Sequence, residues 1–134
     1  AYGVPQASID VDKVNSALRK VGLTGFTEQL SQGIMTPVGD QGKQISAGQK
    51  QRLLIARALY RNASIFIFDE AMSQLDARSE QDVLDTISSL RRDGKTVIIV
   101  AHRPHTLMEC SKVYSLTHGK LRLVRKAKQP PKGN

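Results

Sequence analysis

Residues 45–76 read ISAGQKQRLLIARALYRNASIFIFDEAMSQLD, and they decide how the rest of the chain is read. A Ser46-Ala47-Gly48 turn opens a basic amphipathic helix. A short apolar run, Ile65-Phe66-Ile67-Phe68, then meets Asp69-Glu70. The order is chemically informative. A helix N-terminus presents unpaired N–H groups and positive dipole charge to an anion. In open parallel sheets, ligands sit beyond the carboxyl ends of the strands, where two carboxylates can hold a metal ion and a water. The stretch reads as half of a nucleotide site.

Downstream, Asp76 is placed to cap a helix in which Val83, Leu84, Ile87 and Leu90 recur at helical spacing, with Gly94 as its stop. Thr96 to Ala101 reads as a parallel strand expected to be buried on both faces, and it ends in His102. A helix is expected around Thr106 to Cys110. A weak strand at Val113 to Leu116, a turn at His118-Gly119 and a strand from Leu121 to Val124 follow. Upstream, Asp10 can cap a helix whose Val11, Val14, Leu18 and Val21 share a face, ended by Gly22. A short second helix is expected around Phe26 to Leu30, and MTPVGDQGKQ reads as a loop. Helices alternating with strands imply an α/β layer with right-handed crossovers. No internal repeat is present.

The bulk properties fit a globular chain: 134 residues, 40% hydrophobic and 24% charged. The longest apolar runs, such as Val97 to Ala101, fall far short of the roughly 20 residues of a membrane helix. Ala1 stands where a Met would begin a gene product, and no signal-peptide pattern follows, so a piece of a longer polypeptide is expected. One cysteine, Cys110, excludes an internal disulfide and fits a reducing compartment. The net charge of +8 divides unevenly. Residues 1–110 hold 13 Lys and Arg against 12 Asp and Glu, whereas residues 111–134 hold 7 against none. The last part, KAKQPPKGN, has the composition of a disordered terminus, and no aromatic residue interleaves with its charges to stack on bases. A solubilising tail is favoured over a nucleic-acid arm.

Five motifs in order carry a family resemblance. ISAGQ followed by a basic helix resembles the signature sequence of ATP-binding cassette (ABC) ATPases, usually LSGGQ, with Ile45 for Leu and Ala47 for the first Gly. IFIFDE, beginning at Ile65, resembles the Walker B motif and its following glutamate. SQLD, residues 73–76, resembles the D-loop, usually SALD. VIIVAHRPHTL carries a histidine similar to the switch histidine. TPVGDQG, residues 36–42, resembles the TEVGERG loop of exporter-type cassettes, with Pro37 and Asp40 in place of two glutamates. Singly, each has a plain structural alternative: a capped surface helix, two acids at a strand end, a helix N-cap, a structural histidine, a Gly-rich linker.

The resemblance implies a P-loop NTPase fold of the ABC ATPase type, incomplete here. A helical subdomain with the exporter-type loop would occupy residues 1–44, the signature helix and catalytic α/β part 45–124, and a basic disordered tail 125–134. It implies an ATPase that couples ATP binding and hydrolysis to export. ATP and Mg²⁺ are the implied cofactors. By motif position, Asp69 would order the magnesium, Glu70 would polarise the attacking water and His102 would read the γ-phosphate. Ser46, Ala47, Gly48 and Gln49 would face the nucleotide of a second cassette, with Ser73 and Asp76 at the dimer interface. The implied partners are that second cassette and a transmembrane domain at the cytoplasmic side of the membrane; no nucleic acid is expected. QKQRLLIARALYR and AHRPHTL are most similar to exporters of colicin V-like bacteriocins and other leader-peptide toxins.

The P-loop, G-x-x-x-x-G-K-[ST], is not in the sequence. At Gly42-Lys43, Pro37 stands where the first Gly belongs and Gln44 where the hydroxyl belongs. The chain is thus similar to the C-terminal half of a cassette, expected to be inactive alone. Two alternatives stay open at this level: a soluble ABC-type ATPase of DNA maintenance, drawn by the basic tail, and a non-catalytic half-cassette offering its signature face to a complete partner.

Overall fold

Helix α1 (Val11–Lys20) starts at Asp10, whose carboxylate accepts the Lys13 N–H at 3.0 Å. It closes where Gly22 adopts φ +67. There the Gly22 and Leu23 N–H groups donate back to the Arg19 and Leu18 carbonyls, a Schellman closure. The computed structural model describes residues 4–38, 45–108 and 110–126. They fall into two compact units, residues 1–100 and 101–134. In the first unit, α2 (Thr24–Glu28) begins two residues earlier than the sequence suggested. The closure of α1 delivers Leu23 directly as the residue before α2, and Thr27 N–H bonds to its carbonyl. A 3-10 turn at Gly33–Met35 follows. Of the loop motif, Thr36, Pro37 and Val38 are described, while residues 39–42, and Lys43 and Gln44 after them, lie outside the described residues.

Helix α3 (Ala47–Tyr60), strand β1 (Ile65–Asp69), helix α4 (Ala77–Arg92) and strand β2 (Thr96–Val100) complete this unit. Both helices end in the same closure as α1, with Asn62 at φ +57 and Gly94 at φ +74 in the left-handed position. Asparagine is among the few non-glycine residues that tolerate that region. β1 and β2 are parallel, in register from Ile65↔Thr96 to Asp69↔Val100, with α4 as the connection. One hydrophobic core gathers Leu18 from α1 and Val21 just after it, Ile55 and Tyr60 from α3, Phe66 and Phe68 from β1, and Val83, Ile87 and Leu90 from α4. A salt bridge between Lys20 and Asp93 links the ends of α1 and α4; hydrogen bonding from the Lys20 ammonium, then its charge, holds the Asp93 carboxyl below its ordinary value.

The expectation that Thr96 to Ala101 forms a strand buried on both faces is corrected. β2 ends at Val100, and both strands alternate. Phe66 and Phe68 point into the core with Val97 and Ile99 beside them, while Ile65, Ile67, Ile98 and Val100 lie on the other face, 46–69% exposed. A strand is covered on both sides only when layers pack on both faces, and the described elements of this unit cover one. Among the described residues β1 and β2 also pair only with each other, so the sheet has unpaired edges. An apolar face with open edges favours self-association. Sedimentation velocity of the chain is expected to show concentration-dependent association that Ile67→Lys reduces; a monomer at all concentrations would refute this.

The second unit begins with α5 (Pro104–Met108), two residues upstream of the expected position because Pro104 suits a first helical turn. A hairpin follows, β3 (Lys112–Thr117) and β4 (Lys120–Lys126). His118 at φ +49 and Gly119 at φ +72 form the two-residue turn, as a type I′ connection requires. A tight turn of this kind lets pairing start immediately, so both strands are longer than read from sequence. The pairing slips by one residue at Val113/Tyr114, and the Arg125 guanidinium donates to the Leu107 carbonyl. β4 runs to Lys126, and the rest of the basic tail lies outside the described residues. Among the described residues, no helix is long and apolar enough to cross a membrane.

Candidate functional site

Ser46 is the N-cap of α3. Its Oγ accepts the Gln49 N–H at 3.1 Å, and the Gln49 side-chain carbonyl accepts the Ser46 N–H at 2.9 Å, a complete capping box. Ser46 and Gln49 are therefore tied to each other's backbone. Ser46 keeps its hydroxyl proton as a donor, and Ala47 and Gly48 have N–H groups with no acceptor inside the helix. Ser46 and Ala47 are exposed and Gly48 is buried. The turn presents donors and positive dipole to an incoming anion.

β1 carries Asp69 as its last residue, on the open face of the sheet, and Asp69 and Glu70 are both exposed. Glu70 adopts φ +45 while its N–H extends the parallel ladder to the Val100 carbonyl at 3.0 Å. A glutamate in the left-handed region costs roughly 1–2 kcal/mol, and such strain concentrates at functional sites. The loop beyond is pinned: the Ser73 N–H reaches the Glu70 carbonyl at 3.0 Å, and Met72 and Leu75 are buried. It ends at Asp76, the N-cap of α4, whose carboxylate accepts the Ser79 N–H at 2.9 Å and the Ser79 hydroxyl at 2.7 Å. Those two donors, the N–H first, hold the Asp76 carboxyl below its ordinary value of 3.8.

Within the first unit, Asp69 and Glu70 thus stand together at the strand end, Ser73 and Asp76 lie on the loop that leaves it, and Ser46 to Gln49 form the start of α3. His102 belongs to the second unit, where it is exposed two residues before α5. Among the described residues no cluster of three or more His, Cys, Asp or Glu is placed to hold a metal ion. Two exposed carboxylates nonetheless suit magnesium, which keeps several waters and takes one or two carboxylates together with phosphate oxygens.

Two contributors were not picked out from the sequence. Ser79 joins the α4 cap; the Asp-x-x-Ser spacing was its signal. Arg52, read only as part of a basic helix, lies largely buried between helices, with its guanidinium 3.2 Å from the Asp82 carboxylate. No local pattern marks it, because its partner is on another helix.

Known proteins are similar to this chain in sequence and fold. A family profile described as ABC transporter matches residues 6–73. An ATP-dependent lipid A-core flippase of Ralstonia nicotianae is 42% identical over 122 residues, covering 90% of this chain and 20% of the flippase. Antigen peptide transporter 2 of Homo sapiens is 42% identical over 121 residues, 90% of this chain and 17% of that protein. Multidrug resistance protein pgp-1 of Caenorhabditis elegans is 41% identical over 118 residues, 88% of this chain and 9% of its own length. A bacterial Atm1-family ABC exporter solved with ATP bound superposes with a TM-score of 0.70 at 36% identity, covering 87% of this chain and 20% of that one. The chain spans a fifth or less of the length of these proteins.

Proposed function

The chain belongs to the ABC transporter family, and from that premise we propose that it supplies the signature and Walker B part of the ATPase domain of a membrane exporter. The observation that carries the reading is Glu70, held at φ +45 directly after Asp69 at the carboxyl end of a parallel strand. Backbone strain of this kind aims a side chain, and the family premise makes its target a water beside ATP.

In this reading Glu70 accepts a proton from the attacking water, and Asp69 is the residue that would hold magnesium. The metal, when bound, neutralises charge on the phosphate oxygens. Ser46, the Ala47 and Gly48 N–H groups and Gln49 bind the nucleotide carried by a second cassette. Ser73 and Asp76 hold the loop at the interface between the two, and His102 hydrogen-bonds the γ-phosphate. A transmembrane domain is the other partner, with the ATPase domain on the cytoplasmic face. The finer assignment to bacteriocin or toxin export rests on QKQRLLIARALYR and AHRPHTL alone. The names of the relatives span lipid, multidrug and peptide transport, so the substrate class is set outside this chain.

Because no P-loop is encoded in the sequence, the site divides between chain segments. The chain alone, titrated with Mg-ATP by calorimetry, is expected to show no micromolar binding, whereas the full gene product hydrolyses ATP. Micromolar affinity of the chain alone would overturn the division, and a full gene product without ATPase activity would overturn the function.

A further inference from the structure

Gly48 is buried at the second position of α3, and it is not among the residues with positive φ. Backbone freedom is not the reason for a glycine there. Space is. A Cβ built on Gly48 meets the Ser79 Cβ at 2.7 Å, the Ser79 Oγ at 2.9 Å and the Ser79 Cα at 3.5 Å. Two saturated carbons do not approach to 2.7 Å without strong repulsion, and no rotamer relieves the clash, because a Cβ position is fixed by its backbone.

Ser79 cannot give way easily. Its N–H and its hydroxyl both donate to the Asp76 carboxylate, which locks it into the first turn of α4. That helix is anchored by Val83, Leu84 and Ile87, all buried. On the other side, Gly48 sits between Ala47 and Gln49 inside the capping box. Two capped helix N-termini therefore press together where the glycine meets the serine.

We propose that Ser79 is a positioning residue for the signature turn. The α4 N-terminus is the seat that fixes Ser46, Ala47, Gly48 and Gln49 against the loop running from Glu70 to Asp76. A glycine at 48 is required in the first place by this packing within the chain, and access for a phosphate is secondary. The consequence for nucleotide binding rests on the function proposed above; the packing does not.

A double-mutant cycle in the full gene product tests it. Gly48→Ala alone is expected to lower the thermal midpoint by roughly 5–10 °C and to raise the KM for ATP by about tenfold or more. Ser79→Gly removes both close atoms, so that the nearest remaining Ser79 atom is the backbone carbon at 3.5 Å. In that background, adding Gly48→Ala is expected to shift the midpoint by less than about 2 °C and to leave KM within about threefold of the Ser79→Gly value. Ser79→Ala keeps the Cβ at 2.7 Å and must not rescue.

Equal midpoint losses in the Ser79 and Ser79→Gly backgrounds would overturn the seat. A midpoint that is rescued while KM stays high would overturn the positioning role, because the added methyl would then obstruct the nucleotide itself. If the full gene product shows no ATPase activity, the proposed function falls and the midpoint cycle still decides the packing. If Ser79→Gly does not fold, amide exchange of the Gly48→Ala variant decides: the Gln49 and Ser79 N–H groups must both lose protection, and unchanged protection overturns the seat.

Discussion

Glu70→Gln in the full gene product is expected to slow ATP hydrolysis by about 10²–10⁴-fold, the usual contribution of a positioned general base, while ATP remains bound. The substitution is nearly isosteric and keeps the backbone features that define the site. The Glu70 N–H still reaches the Val100 carbonyl, and its own carbonyl still receives the Ser73 N–H. What disappears is the capacity to take a proton from water at neutral pH, since an amide oxygen is a hydrogen-bond acceptor with negligible basicity. Transition-state stabilisation is lost and ground-state binding is retained, so kcat falls while affinity holds or rises. Single-turnover hydrolysis together with retention of labelled ATP on a filter separates these. Hydrolysis at the unsubstituted rate would remove Glu70 from the role, and loss of ATP retention would show that it serves binding.

The features that were legible in the sequence are those whose physics is local. Asp10 and Asp76 cap their helices through bonds to residues three positions on. Gly22 and Gly94 close α1 and α4 because each supplies the one left-handed residue that the closure needs. The His118-Gly119 turn announced its hairpin in the same way. The capping box at Ser46 and Gln49 was half legible, since the Ser-x-x-Gln spacing is local but the same hydroxyl can equally serve a phosphate. Features that depend on distant partners were hidden. An apolar run such as IFIF does not state which of its faces will find cover, so Ile67 and Phe68 read alike and end up on opposite sides of the sheet. The strained φ of Glu70 follows from the loop that Met72 and Leu75 anchor, and no residue type at that position encodes it. The packing of Gly48 on Ser79 joins two helices that are far apart in sequence, which is why the glycine looked like a phosphate feature alone.

Ile67 and Ile87 turn that distinction into an expected result. Ile87 is 1% exposed in the middle of α4, inside the core that α1, α3 and β1 share, and Ile87→Ala is expected to destabilise the chain by about 2–5 kcal/mol. The loss combines the transfer energy of the removed carbons with the cavity left behind, because Val83, Leu84 and Leu90 are held by the same helix and cannot all close in. Against typical domain stabilities of about 5–15 kcal/mol, that is a large fraction. With one sheet face left uncovered by the described elements of the first unit, that unit buries less than a fully layered domain and belongs toward the low end. Ile67 is 69% exposed, so Ile67→Ala leaves no cavity and is expected to change stability by no more than roughly 0.5 kcal/mol. Urea unfolding gives both numbers, with Ile87→Ala measured in the Ile67→Lys background, where association is suppressed, and Ile67→Ala measured against the unsubstituted chain at a dilution where both are monomeric. Equal losses at the two positions would mean that the open sheet face is in fact covered, and the order of the layers would have to be redrawn.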